Sequence, residues 1–190
     1  MMELIRKNIH MNRQKGSAVS QITLDDDVIV PDTFDDVARI LLDNGEVQIE
    51  SSRIQGEKVL VKGTLVFHVL YRREGGGLQA LSGEIPFEEA INVPDLEEHD
   101  ETQTGWTLED LSTGLINSRK LSVKAVVTLE VRAESLCDAE AAVDIETDDQ
   151  KAEVLKRSVE VASIAARRRD TYRIREDIQL TANKPDIGTV

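Results

Sequence analysis

The sequence predicts a mainly β protein, an antiparallel β-sandwich-like domain with one or two short helices. Three observations carry that prediction. The first is the run Arg119 to Glu134, where Leu121, Val123, Ala125, Val127, Leu129, Val131 and Ala133 alternate with Lys120, Ser122, Lys124, Thr128, Glu130, Arg132 and Glu134. That is the period of a strand with one face on a core and one in water. The second is that Lys58 to Arg73 can be laid over it at an offset of 62, pairing Val61/Val123, Leu65/Val127, Phe67/Leu129 and Val69/Val131, with Ile49/Leu111 and Ile54/Ile116 ahead of them. Two hairpins with one apolar face each bury those faces against one another as two packed sheets. The third is an echo: Ile22 to Ile40 returns 150 residues later as Tyr172 to Val190, matching in type at Ile22/Tyr172, Leu24/Ile174, Val28/Ile178 and Val30/Leu180. Self-similarity at a domain-sized period marks a repeated unit.

The chain divides on this reading into an N-terminal arm (1–20), a β domain (21–165) and an overhang (166–190) that begins a second unit. The arm is polar and locally basic, with Arg6, Lys7, Arg13 and Lys15, and is expected to be solvated. A strand follows from Ile22 to Val30, then a Pro31-Asp32 corner and a short helix from about Asp35 to Leu42, capped by Thr33 or Asp35 and stopped near Gly45. Val47 to Arg73 reads as a hairpin turning at Gln55-Gly56-Glu57. Gly75 to Gly77 is a loop, and Leu78 to Ile85 a strand stopped at Pro86. One helical turn is expected over Phe87 to Ile91, then a second corner at Val93-Pro94-Asp95 and an acidic loop from Leu96 to Thr104. Trp106 opens the next strand, and Leu136 to Lys151 reads as a linker. Val154 to Arg169 leans to strand because the segment after it alternates.

Bulk properties exclude several classes. The 36 Asp and Glu against 23 Lys and Arg give a net charge of -13, which repels phosphate backbones and anionic lipid. No nucleic-acid partner and no membrane insertion are therefore expected. Cys137, the single cysteine, rules out an intrachain disulfide and a multi-cysteine metal site. The first residues lack the apolar run of a signal peptide, so synthesis in the cytosol is expected.

The search for chemistry yields little. His10, His68 and His99 share no metal-ligand spacing, and the aspartates at 25–27, 32, 35 and 36 lack the twelve-residue calcium-loop pattern. The glycine triplet has no following Lys-Ser/Thr for a phosphate cradle, and no nucleophile elbow or dinucleotide fingerprint occurs. Neither a catalytic residue nor a metal or cofactor is expected, and the chain is read as a non-enzyme.

The blocks ELIRKNIHMNRQKGSAVSQITLDDDVIVPD, KVLVKGTLVFHVLYR, LSGEIPFEEAINV, LINSRKLSVKAVVTLEVRAE and RDTYRIREDIQLTANKPDIGTV fall in order along nearly the whole chain. In them the sequence resembles the SPOCS domain family of spore-forming Firmicutes, whose members occur as tandem copies ahead of a C-terminal LysM domain in spore coat assembly proteins. The resemblance implies a structural module of the spore coat, made in the mother cell and deposited at the forespore surface through a spore coat morphogenetic protein. No LysM stretch is present here, so peptidoglycan binding by that route is not expected, and the sequence reads as a fragment or short paralogue.

Ile22, Leu24, Val28 and Val30, with their counterparts Tyr172, Ile174, Ile178 and Leu180, are the candidate assembly strands: the second set docks where the first set docks in a neighbouring unit, giving head-to-tail self-association. The alternative is a peptidoglycan- or glycan-binding module using Trp106 and Tyr71.

Overall fold

The computed structural model describes residues 2–147, together with 155, 157–160, 168, 170, 172–177 and 179. Six strands run in the order β1 (Met2–Ile29), β2 (Val37–Gln55), β3 (Lys58–Arg73), β4 (Leu78–Asn92), β5 (Glu101–Asn117) and β6 (Lys120–Thr147). They form two antiparallel three-stranded sheets, β1-β6-β5 and β2-β3-β4. The chain leaves the first sheet after β1, completes the second as a meander, and returns to add the β5–β6 hairpin.

The apolar faces read from the sequence are the ones that meet. Val59, Val61, Leu65, Phe67, Val69 and Tyr71 of β3 and the odd-numbered residues Leu121 to Ala133 of β6 are buried together at the centre, with Leu81, Ile85, Phe87 and Ile91 of β4. Both central strands are therefore flanked on each side by a hydrogen-bonded neighbour and covered by the opposite sheet. Glycine makes room for aromatic rings across the β3–β4 pair. Phe67 lies opposite Gly83, and Phe87 opposite Gly63. A Cβ on Gly83 would lie 2.8 Å from Phe67 Cε1, and one on Gly63 would lie 2.6 Å from both Phe87 Cζ and the Gln48 carbonyl.

The helices expected over 35–42 and 87–91 are not present; among the described residues no element is helical. Val37 to Leu42 opens β2: the Asp35 carboxylate expected as a helix cap accepts instead from Arg73 at 2.8 Å, and that of the next residue, Asp36, accepts from Arg119 and Ser118 at 3.1 and 2.9 Å. Pro86 does not end its strand. It lies opposite Thr64 in β4, an edge strand, the position in a sheet where proline is tolerated. The glycine triplet closes the β3–β4 hairpin, with Gly76 and Gly77 both at φ +86°, a conformation glycine adopts without Cβ strain.

The N-terminal segment and the 136–147 segment, expected as a solvated arm and a linker, pair with each other. β1 and β6 hydrogen-bond from Met2↔Thr147 to Ile29↔Lys120 with bulges near Ile5 and Gln14. Because β5 begins at Glu101, opposite Glu134, the outer halves of β1 and β6 extend past the sandwich as a two-stranded ribbon. Thirteen residues at strand rise give it a length of about 44 Å.

Candidate functional site

The aspartates that sequence pattern groups together are each met by a cation from a neighbouring strand or turn. Asp25 pairs with Lys124 at 3.1 Å, Asp27 with Lys120 at 2.7 Å, and Asp35 with Arg73 at 2.8 Å. Arg119, in the β5–β6 turn, donates to the carbonyls of Val30, Pro31 and Phe34 at 2.6–3.1 Å and to the carboxylates of Asp32 and Asp36. A planar, always-charged fork suits that many acceptors, and it pins the first sheet-to-sheet crossover. Tyr71 reaches the same corner from the core, its hydroxyl donating to the Asp35 carbonyl at 3.1 Å. Burial, reinforced by the negative charge of Asp35, raises its pKa.

The second crossover, 93–100, is latched by a residue that the sequence pattern did not single out. Glu97, His99 and Asp100 bring ligand-type atoms within 4.8 Å of one another. The Lys15 ammonium stands among them, 3.0 Å from Glu97 Oε2 and 3.1 Å from Asp100 Oδ2. The cluster thus holds a cation supplied by β1 and ties β1 to the loop. Burial by itself pushes the Asp100 carboxyl up, but the Glu97 N–H at 2.7 Å and the Lys15 ammonium outweigh it and lower its pKa. The Lys15 pKa is raised by its bond to Glu97, against partial desolvation, with Asp100 adding to the rise.

Between these corners the long edges of the sandwich are stitched. Ser52 and Thr104 share a hydrogen bond of 2.7 Å and the Thr113 N–H donates to Asp43 at 2.9 Å across the β2/β5 seam; Ser20 donates to Glu89 at 2.7 Å across the β1/β4 seam. Among the described residues no strand of the second sheet covers the outer ribbon. Its two strands carry opposite charge: Arg6, Lys7 and Arg13 on β1, and Asp138, Glu140, Asp144 and Glu146 on β6 with no Lys or Arg between 135 and 147. Arg6 donates to Glu140 at 3.0 Å, His10 meets Asp138, and Asn12 donates to Glu134 at 2.6 Å. Ile9, Met11, Cys137, Ala139 and Ala141 are only half-buried on the ribbon, and Leu4, Leu136 and Val143 are exposed. At its tip, Leu4, Ile9, Ala141 and Ile145 line a groove together with Leu155 and Val159. Opposite net charge in two segments 130 residues apart was the available signal for this pairing.

Of the expected assembly strands, Leu24 and Val30 are buried and Ile22 and Val28 pack against the core, so the first set belongs to the sandwich itself. Their place on β6 is occupied by β1 on one side, with β5 on the other. Tyr172 and Ile174 are 81% and 89% exposed; Ile178 and Leu180 lie outside the described residues. Tyr71 is fully buried in one sheet, while Trp106, on the other, is 41% exposed, so the two do not form a shared sugar platform.

Residues 36–116 match the family model described as SipL, SPOCS domain, a span that runs from the start of β2 to the end of β5. Over that stretch, less than half of its length, the chain is similar to the SPOCS domain. The match suggests a sporulation-related role, and the matched region is all-β, including the whole β2-β3-β4 sheet and the first strand of the β5–β6 hairpin. No curated protein and no solved structure matches the chain. Among the described residues no helix is long and apolar enough to cross a membrane.

Proposed function

We propose that this chain is a non-enzymatic scaffold module of the spore coat or envelope, acting through protein contacts with a spore coat morphogenetic protein and with copies of itself. The single observation that carries the reading is the outer ribbon, a pair of strands with exposed apolar residues whose outer edges pair with no further strand among the described residues, attached to a sandwich whose own seams are bridged. Strand edges recruit further strands, and native proteins cover those they do not use. The titratable groups with displaced pKa values, Lys15, Asp100 and Tyr71, sit in the latches of the two crossovers, which accounts for them structurally. The reading includes synthesis in the mother cell and deposition at the forespore surface, which the similarity to the SPOCS domain supports.

The second reading, a peptidoglycan- or glycan-binding module, keeps the half-exposed Trp106 as its one aromatic contact. A fluorescent fusion expressed during sporulation is expected to collect at the developing spore surface; a diffuse signal throughout sporulation counts against the scaffold. Purified cell wall is expected to leave the protein in the supernatant, and cosedimentation abolished by Trp106→Ala would favour the second reading.

A further inference from the structure

The outer face of the second sheet, turned away from the first, carries a patch that the sandwich does not use. In β3, Val69 and Tyr71 are buried, so Leu70 and Arg72 point to the opposite face. The register sets Leu42 and Ala80 on either side of Leu70, and Arg39 and Leu78 on either side of Arg72. Leu42 and Leu78 are 62% and 55% exposed, Ala80 is exposed and Leu70 is half-buried. The two rows lie two residues of strand apart, about 6.8 Å.

Two bulges in β2 create this arrangement. They fall between Val37 and Arg39 and between Ile40 and Leu42. With them Val37 and Ile40 both reach the core while Arg39 and Leu42 both face out; strict alternation would have kept 37 with 39 and 40 with 42. Bulges re-aim side chains in this way.

The charge in the patch is left open. Arg39 and Arg72 stand directly opposite one another, an arrangement that like charges disfavour. Among the described residues neither is held by a hydrogen bond or an ion pair, although the chain has 36 acidic residues and the adjacent Arg73 is taken by Asp35. On the outer face of the first sheet, by contrast, carboxylates and cations meet, Asp25 with Lys124 and Asp27 with Lys120. Two unmatched guanidiniums beside an exposed apolar row suit a ligand that brings carboxylates and apolar side chains together. A nucleic acid or an anionic lipid surface would use the arginines alone, and the net charge of -13 repels both.

We propose that this face docks an acidic peptide segment of another protein, whose Asp or Glu side chains take Arg39 and Arg72 and whose Leu, Ile or Val side chains cover Leu42, Leu70 and Leu78. The inference rests on the scaffold reading above and gives one partner its chemistry, at a surface separate from the ribbon.

The test is photo-cross-linking in sporulating cells from position 42 of the full chain, with the captured peptides sequenced by mass spectrometry. They are expected to come from another protein and to hold more Asp and Glu than Lys and Arg, with Leu, Ile or Val among them. Arg39→Glu with Arg72→Glu is expected to lower the yield from position 42 at least about tenfold and to leave the yield from position 136 on the ribbon unchanged, which also shows that the variant folds. If the yield falls at both positions, Arg39→Gln with Arg72→Gln, which removes the charge without reversing it, takes its place, and the same selective loss is expected. No adduct from position 42, captured peptides that are basic or belong to a second copy of this chain, or a yield that neither arginine variant lowers selectively overturns the proposal. The scaffold reading is judged separately, by where the fluorescent fusion collects, so the two failures are distinguishable.

Discussion

Replacing Gly83 by alanine tests the packing of the central β3–β4 pair. The new methyl would meet the Phe67 ring, 2.8 Å from Cε1 and 3.1 Å from Cε2, where carbon contacts normally lie near 3.5–4.0 Å. Phe67 is 1% exposed, so the ring must push into neighbours that are themselves buried. Overpacking of this kind costs about 1–3 kcal/mol. With a urea m-value of about 2 kcal/mol per molar, the unfolding midpoint should fall by about 0.5–1.5 M with the slope unchanged. Adding Phe67→Leu shortens the side chain facing the methyl, so the double variant should be more stable than the sum of the two single losses, with a coupling of about 0.5–3 kcal/mol. An unchanged midpoint for Gly83→Ala, or strict additivity in the double variant, would refute the claim that the ring lies over the glycine.

Arg119→Lys should lose of order 2 kcal/mol and behave nearly as badly as Arg119→Ala in the same urea experiment, because an ammonium cannot serve three carbonyls and two carboxylates at once. Leu129→Ala, at a site with no exposure, should cost about 2–5 kcal/mol by the same assay. The lowered pKa of Asp100 means that its contribution to stability is complete above the ordinary carboxylate range and is lost as pH falls through its folded value; melting temperature followed from pH 6 to 2 should show a shallower acid limb in Asp100→Asn. The raised pKa of Lys15 works the other way, its contribution being complete below 10.5 and lost as pH rises through the folded value, so Lys15→Met should flatten the alkaline limb.

What the sequence made legible is the part of the fold that depends on local alternation. The runs 58–73 and 120–134 show which face is greasy over seven or more turns of the pleat, and those faces are the core. What it hid depends on partners far along the chain. The Asp35–Leu42 stretch looks like a capped helix until Arg73 takes the Asp35 carboxylate and Arg119, more than 80 residues away, takes that of Asp36, leaving the apolar run free to pair with β3. The basic arm and the acidic 136–147 segment each look solvated alone; as a pair they neutralise one another and become strands. Pro86 reads as a stop unless β4 is known to be an edge. The Lys15 latch is likewise invisible locally, since its acceptors Glu97 and Asp100 lie in a different crossover.

The most direct test of the account as a whole is photo-cross-linking in sporulating cells from single positions on the full chain. A photoreactive residue at Leu136, 75% exposed on the ribbon, is compared with one at Thr107, exposed on β5 of the sandwich. The account predicts protein adducts from position 136 and few from position 107. Adducts from the sandwich position with none from the ribbon would contradict it.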